Sequence, residues 1–357
     1  EKTMKMTKLL TVGAFAISGL MAGTIAEAQT VLRYAEFGPD RGTRAQALNW
    51  FADELIERSG GDMEIEFHWG KSLLGTKAVL QGLGDGVADM GSVIGFFTPA
   101  KLRGYNIGDL PVENADEWVG MRALYEFSSD NPAMQKEFAD LGVKYVSNYT
   151  TGPIQLICTK EVTSLADMDG LKVRGSGPYG KTLGDFGAAV QGMGQGKVYQ
   201  ALESGLVECN QNYYYSMKAY KQYEVAPHVV ELEWGQNMAF GIMMNSASFD
   251  ALNADQQALI TQLGSEFVDK MAQLMIDGKS TNKKAMVDGI EGAKISVVSL
   301  PEADRSKLLE GGTKYVEAWV SEASAQGYDG AGLLSAYQGL VDKFAAEKAS
   351  KGYPWTR

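Results

Sequence analysis

Cysteine and histidine are scarce in this sequence; each occurs twice. Two cysteines cannot build a disulfide scaffold or a four-cysteine zinc site. Two histidines, His68 and His228, are a poor start for a metal centre, and they stand 160 residues apart with no fixed Ser or Cys partner. Positive charge is also short, with Lys+Arg 33 against Asp+Glu 44 and a net charge of −11. That balance excludes the concentrated basic face that nucleic-acid binding needs. No apolar run after residue 28 reaches the ~18 residues of a membrane span. The signatures G-x-S-x-G, H-E-x-x-H and G-x-x-x-x-G-K-[ST] are missing. No catalytic residue, cofactor or metal is therefore expected, and no nucleic-acid partner.

What is present is a 357-residue chain with 42 glycines and 45% apolar residues. The length suits about two domains. Lys2, Lys5 and Lys8 precede a diluted apolar stretch, Leu9 to Ile25, that ends at Ala26-Glu27-Ala28. A basic start, an apolar middle and an A-x-A site predict a signal peptide over 1–28. The exported form would begin near Gln29, carry a charge of −12 and reside in the periplasm. In that oxidising compartment Cys158 and Cys209 either pair or stand as two buried thiols.

Periodicity sketches the fold. Val31–Ala35 alternates like a strand, 43–59 has helical spacing stopped by Gly60-Gly61, and 63–69 alternates strictly. Helical spacing returns over 72–84, and 88–94 reads as a short buried strand. The order β-α-β-α-β favours a parallel sheet covered by helices. Residues 115–142 are helical in character, with strands at 143–146 and 154–158 and a polar crossover at 148–153. A second α/β run follows, with strands at 171–174, 189–191 and 206–210. Residues 229–245 are β-rich and return the chain towards the first unit. Asn253 and Gln256 have capping-box spacing and open a helix running to about Asp288. A late strand at 295–298 and helices over 302–350 complete the chain. The expected division is lobe I at 29–152 plus 239–280 and lobe II at 153–238 plus 281–357. Two α/β lobes joined by several crossings suggest a protein that closes on a small ligand in the inter-lobe cleft.

Arg174 ends a short apolar strand and is followed by Gly175-Ser176-Gly177, where backbone can approach a ligand closely. Ligands of α/β sheets bind at the carboxyl ends of strands, and a guanidinium there offers a two-pronged fork for a carboxylate. The alternative is a solvated arginine at a strand end.

The run Ser164-Leu165-Ala166-Asp167-Met168, followed by Gly170-Leu171-Lys172-Val173-Arg174, resembles the signature of the solute-binding receptors of TRAP (tripartite ATP-independent periplasmic) transporters. The segment from Ala201 to Asn212, ALESGLVECNQN, is similar to that family's "ALQxGxVDGxEN". Further matches are Leu74-Gly75 with Leu80-Gln81, Gly86 to Gly91, Tyr223-Glu224-Val225 and Met244-Asn245, so the similarity spans about 30–340. The resemblance implies a two-lobed periplasmic binding protein of the Venus-flytrap type with a long bracing helix. It implies that the motif arginine, here Arg174, binds a ligand carboxylate and that Asn212 helps hold it. It also implies delivery of a small organic acid to TRAP membrane subunits, driven by an ion gradient. Three departures flank the site. "VDGxEN" reads Val207 to Asn212 as VECNQN, the usual "SEVY" reads Gly196-Lys197-Val198-Tyr199, and Tyr213-Tyr214-Tyr215 stands where Pro is usual.

The rest of the pocket is expected from loop positions: Phe37, Trp69, Phe96, Phe97, Trp234, Gln236 and Asn237. Each aromatic either packs its lobe or faces the ligand. Together they favour an apolar or ring portion behind one carboxylate. Arg41, Arg44, Lys71 and Arg103 are candidates for a second cation. A monomer is expected. The competing readings are an exported enzyme acting on organic acids or sugars, and a receptor of an ATP-driven importer.

Overall fold

Eleven strands, sorted into two sheets, organise the computed structural model, which describes residues 29–112 and 116–357. The expected signal peptide at 1–28 lies outside the described residues. The strands are β1 (Thr30–Ala35), β2 (Met63–His68), β3 (Met90–Ile94), β4 (Val143–Tyr149), β5 (Ile154–Cys158), β6 (Lys172–Arg174), β7 (Ala189–Gln191), β8 (Cys209–Asn212), β9 (His228–Trp234), β10 (Phe240–Asn245) and β11 (Ser296–Ser299). The first sheet runs β2-β1-β3-β10-β4, and the second runs β11-β9-β5-β8-β6-β7.

Within the first sheet β1, β2 and β3 are parallel, while β10 is antiparallel to both β3 and β4. Within the second sheet β6, β7 and β8 are parallel, and β5 is antiparallel to β8 and β9. Both sheets are therefore mixed. The β-rich stretch 229–245 is two strands in different sheets, joined by a crossover at 235–239. Cys158 and Cys209 face each other across β5 and β8 and form a disulfide, with Cα atoms 4.0 Å apart.

Two helices differ from expectation. The helical spacing over 72–84 yields only the helix Val79–Gly84, and a left-handed turn at Gly70 and Lys71 (φ 66° and 71°) precedes it. The segment 115–142 is two helices, Glu117–Asp130 and Pro132–Asp140. Asn131 separates them, because its side chain accepts from the Ala133 N–H and Pro132 starts the second helix.

The helix Ala254–Asp288 is the brace. Asn253 and Gln256 form the capping box reciprocally, each side chain bonding the other's backbone N–H at 3.0 and 3.1 Å. Its Ile260, Leu263, Phe267, Met271 and Met275 are buried in the core of the first sheet, and Met286 is buried in a core of the second. It presses so closely on β4 that a Cβ at Gly264 would stand 2.2 Å from the Val146 carbonyl oxygen. Between the two anchored ends lies Gly278, and just beyond it Thr281 Oγ donates back to the Asp277 carbonyl at 3.0 Å.

The expected assignment of 281–357 to lobe II needs correction at its end. The helix Gly330–Lys351 packs on Glu117–Asp130, and its Leu333, Tyr337 and Phe344 belong to the core of the first sheet. The preceding helix, Glu302–Ala325, straddles the two, with Leu308 in the second core and Trp319 in the first. Spacing marks which residues are buried but not the surface that buries them.

Candidate functional site

The carboxyl ends of two parallel strand triplets face one another across a cleft. From the first sheet come Phe37 after β1, Lys71 after β2, and Phe96 and Phe97 after β3. From the second come Arg174 at the end of β6, Met193 and Gly194 after β7, and Tyr213 after β8. The cleft comprises an inner cavity of about 340 Å³ and an outer one of about 880 Å³. Lys71, Thr76, Phe96, Phe97, Arg174 and Ser176 line both.

Arg174 is 5% exposed. Its Nε donates to the Met193 carbonyl at 2.9 Å, and Nη1 reaches the Gln211 carbonyl at 3.4 Å. Among the described residues no carboxylate pairs with it. Burial lowers its proton affinity, and Tyr213 and Tyr220 oppose that shift; an arginine nevertheless stays cationic. A buried charge without a counter-ion costs several kcal/mol, of the order of ~3–5. Placed in a cleft, it is a fork waiting for an anion.

The flanking glycines have two separate purposes. A Cβ at Gly175 would stand 2.9 Å from the Gly180 Cα, so this glycine lets the strand end pack on the helix Gly177–Asp185 rather than on a ligand. Gly177 has φ +60° and faces Phe96 of the opposite wall, 3.9 Å from where its Cβ would be.

Arg44 is 4% exposed, but its charge is spent. Its Nε lies 3.2 Å from Glu36 Oε1, and its guanidinium covers the Phe37 ring at 4.8 Å. Burial works against its charge, but Glu36 and the surrounding tyrosines outweigh it and hold the guanidinium protonated. Glu36 also accepts from the Gly38 N–H at 2.7 Å and the Ser92 hydroxyl at 2.5 Å. A Cβ at position 38 would stand 1.6 Å from Arg44 Nη2, so a larger residue there would have to displace the guanidinium. Of the other candidate cations, Arg103 pairs with Glu322 at 2.6 Å, and Arg41 Nε is held by the Ala219 carbonyl at 2.6 Å.

The aromatic wall is continuous. Phe96 meets Phe97 at 4.7 Å and Phe240 at 5.8 Å, and Phe37 lies 6.3 Å from Phe240. Asn237, on the return crossover, lines the inner cavity with its Oδ1 buried and unpartnered.

Of the expected site residues, Arg174, Phe37, Phe96, Phe97 and Asn237 come together around the cleft. Four do not. Trp69 stacks on Phe67 at 4.6 Å outside both cavities, and Gln236 also lies outside them. Trp234 is fully buried in the second core, edge-on to Tyr179 at 4.9 Å. Asn212 points behind the wall: its Nδ2 donates to Gln222 Oε1 at 2.6 Å, and its Oδ1 accepts from Gln195 Nε2 at 3.1 Å. Strand alternation explains this. Asn210 and Asn212 share one face of β8 and one glutamine partner, Gln222, while Gln211 lies on the other face and lines the inner cavity. Sequence reasoning missed Gln195, Gln211 and Tyr220, which line that cavity. The parity of β8 decides which residue faces the cavity, and the four residues of the strand give no signal that fixes it.

Among the described residues no group of three or more metal-ligating side chains occurs, and no helix is long and apolar enough to cross a membrane. The site is built to hold an anion beside aromatic surface.

Comparison with known proteins fits this geometry. Residues 34–322 match the model of the family described as bacterial extracellular solute-binding protein, family 7, DctP. A solute-binding protein of Albidiferax ferrireducens is 26% identical over 231 residues, 62% of this chain and 66% of its own length. A TRAP periplasmic solute-binding protein from Desulfovibrio salexigens superposes with a TM-score of 0.78 at 25% identity, covering 91% of this chain and 98% of its own. A TRAP solute-binding protein from Rhodoferax ferrireducens, solved with copurified benzoate, gives a TM-score of 0.80 at 22% identity, covering 89% and 99%.

Proposed function

Because the chain belongs to the DctP family, the bacterial extracellular solute-binding proteins of family 7, we propose that its inter-lobe cleft binds one small organic acid, with Arg174 as the carboxylate fork. The protein is a periplasmic solute receptor of the TRAP type. One observation carries the ligand assignment: a buried arginine with no counter-ion among the described residues, in a cleft whose opposite wall is phenylalanine. Phe37, Phe96 and Phe97 cover the apolar body of the ligand, and Asn237 Oδ1 accepts from a hydroxyl or amine on it. The phenylalanine wall suits a carboxylate carried on an aromatic or apolar body, and Arg44, neutralised by Glu36, adds no free charge to it. The benzoate held by the Rhodoferax ferrireducens relative is of this class.

The receptor acts as a monomer, releases its acid unchanged and hands it to the membrane subunits of a TRAP transporter. Gln195 takes the place expected for Asn212 at the cavity surface, and Asn212 holds it in position.

A thermal-shift screen of aromatic acids, 2-oxo acids, sugar acids and dicarboxylates tests the reading. An acid at a hundred times its Kd should stabilise the protein by ~2.7 kcal/mol. Titration calorimetry should give one site, and NMR of the supernatant should recover the same acid. Stabilisation by none of the acids, or turnover of any of them, would overturn the proposal.

A further inference from the structure

Lys71 departs from its surroundings in two independent ways. It is one of only four non-glycine residues with left-handed backbone among the described residues, at φ 71°, directly after Gly70 at φ 66°. Such a conformation is unfavourable for a side-chain-bearing residue and clusters at functional sites. The turn is held there by two bonds, Gly70 N–H to the Gly38 carbonyl at 2.8 Å and Lys71 N–H to the Glu36 carbonyl at 3.0 Å. The buried pair of Glu36 and Arg44 thus fixes the backbone from which Lys71 projects.

The second departure is where the amine ends. The side chain leaves the first sheet, yet its Nζ lies 3.7 Å from where a Cβ on Gly194 of the second sheet would be. The residue before Gly194 supplies the carbonyl that holds Arg174 Nε. Lys71 and Arg174 therefore reach the same loop from opposite walls, and both line the inner and outer cavities. Among the described residues the Lys71 amine has neither an acidic partner nor a hydrogen bond. The other lysines of the cleft are placed differently: Lys77 lies over the Phe97 ring at 5.6 Å, and Lys181 is near the Tyr315 ring at 5.9 Å; neither lines the inner cavity.

We propose that Lys71 is a second anion contact, contributed by the first lobe, through which a bound carboxylate favours closure of the cleft. This rests on the organic-acid reading above. A ligand shifts a conformational equilibrium only by its differential affinity for the two states. An acid held by Arg174 alone touches charge on one lobe and gains no further charge attraction when the lobes approach. An acid reached by Lys71 as well gains attraction only as the gap narrows and water leaves, where charge interactions strengthen. An ammonium on a flexible stem suits this task, since it adapts to acids of different size while the rigid Arg174 fork sets their orientation.

The test compares the parent, Lys71→Met and Lys71→Gly proteins by titration calorimetry and small-angle scattering, with benzoate, mandelate and pyroglutamate as probes at low and high salt. The parent should bind at least one probe and contract on binding. Lys71→Met should bind that probe roughly tenfold more weakly, with a flatter salt dependence and no contraction. Lys71→Gly should lose affinity equally while its Tm stays level or rises, since glycine suits the left-handed backbone; a merely structural lysine would not separate the two readouts. Affinity within about twofold of the parent in Lys71→Met, or undiminished contraction, overturns the role of Lys71 and leaves the organic-acid reading standing. If the parent binds neither these probes nor any acid of the thermal-shift screen, the organic-acid reading fails, and the role of Lys71 fails with it.

Discussion

Two arginines are buried within the same cleft region, one per lobe, and they do opposite things. Arg44 is enclosed by Glu36, Phe37 and the Gly38 backbone, so its charge is satisfied inside the protein. Arg174 is equally buried, yet among the described residues only carbonyl oxygens accept from it. The first is part of the scaffold, fixing the loop after β1. The second is an incomplete ion pair. Burial and residue type are common to both; the counter-ion separates them, and the proposed binding role of Arg174 rests on it.

The largest effect should come from Arg174. Arg174→Ala should weaken organic-acid binding by about a thousandfold, ~4 kcal/mol, on titration calorimetry, with no loss of Tm because the protein no longer carries an uncompensated charge. Arg174→Lys should also bind poorly, since a point charge cannot reproduce the fork. A destabilised Arg174→Ala that still binds would reverse the roles of the two arginines.

Glu36→Gln tests the other half of the contrast. It strands Arg44 as a second buried cation and should cost about 3 kcal/mol in denaturant unfolding. Unchanged stability would mean that the pair does not hold the loop.

Asp109 extends the comparison to negative charge. It is a buried carboxylate that accepts the N–H groups of Met238 and Ala239 on the return crossover, each at 3.1 Å, and burial pushes it up to about 7. Its folded-state value lies above the ordinary 3.8, so its contribution to stability is fully present below pH ~4 and is lost as pH rises through about 7. In that window the slope should approach ~1.4 kcal/mol per pH unit, and Asp109→Asn should flatten it in urea titrations. An unchanged slope would place the titration elsewhere, with Glu117, also pushed up to about 7 by burial, the first alternative.

The smallest effect should be that of Asn212→Ala. Because Asn212 acts through Gln195, affinity should fall by less than about tenfold. A loss matching Arg174→Ala would mean that Asn212 reaches the ligand directly.

Much of this was legible in the sequence. The alternation of 31–35 and 63–69, the capping box at Asn253 and Gln256, and the strand-end position of Arg174 all follow from local chemistry. The unread parts depend on partners distant in the chain. Asn212 and Gln211 exchange roles by one step of β8, a parity that four residues cannot fix alone. Trp234 stands next to a crossover glycine yet turns into its own core. The left-handed turn at Gly70 and Lys71, ahead of the truncated helix, is held by backbone bonds to the loop after β1. The last helix shows helical spacing but no sign of which lobe it covers.

The brace helix has a mechanical consequence. It is buried in the first core up to Met275 and in a second core at Met286, and the ten residues between them cover roughly 16 Å. Lys279 and Lys283 tie this span to Glu233 and Glu231 of β9, and Gly278 lies against Thr43 of the first lobe. Gly278, without a side chain, and Thr281, whose hydroxyl bonds back to a carbonyl, are both features that ease helix bending. The two lobes thus share one continuous piece of helix, so a change in the angle between them would bend the brace within about three turns.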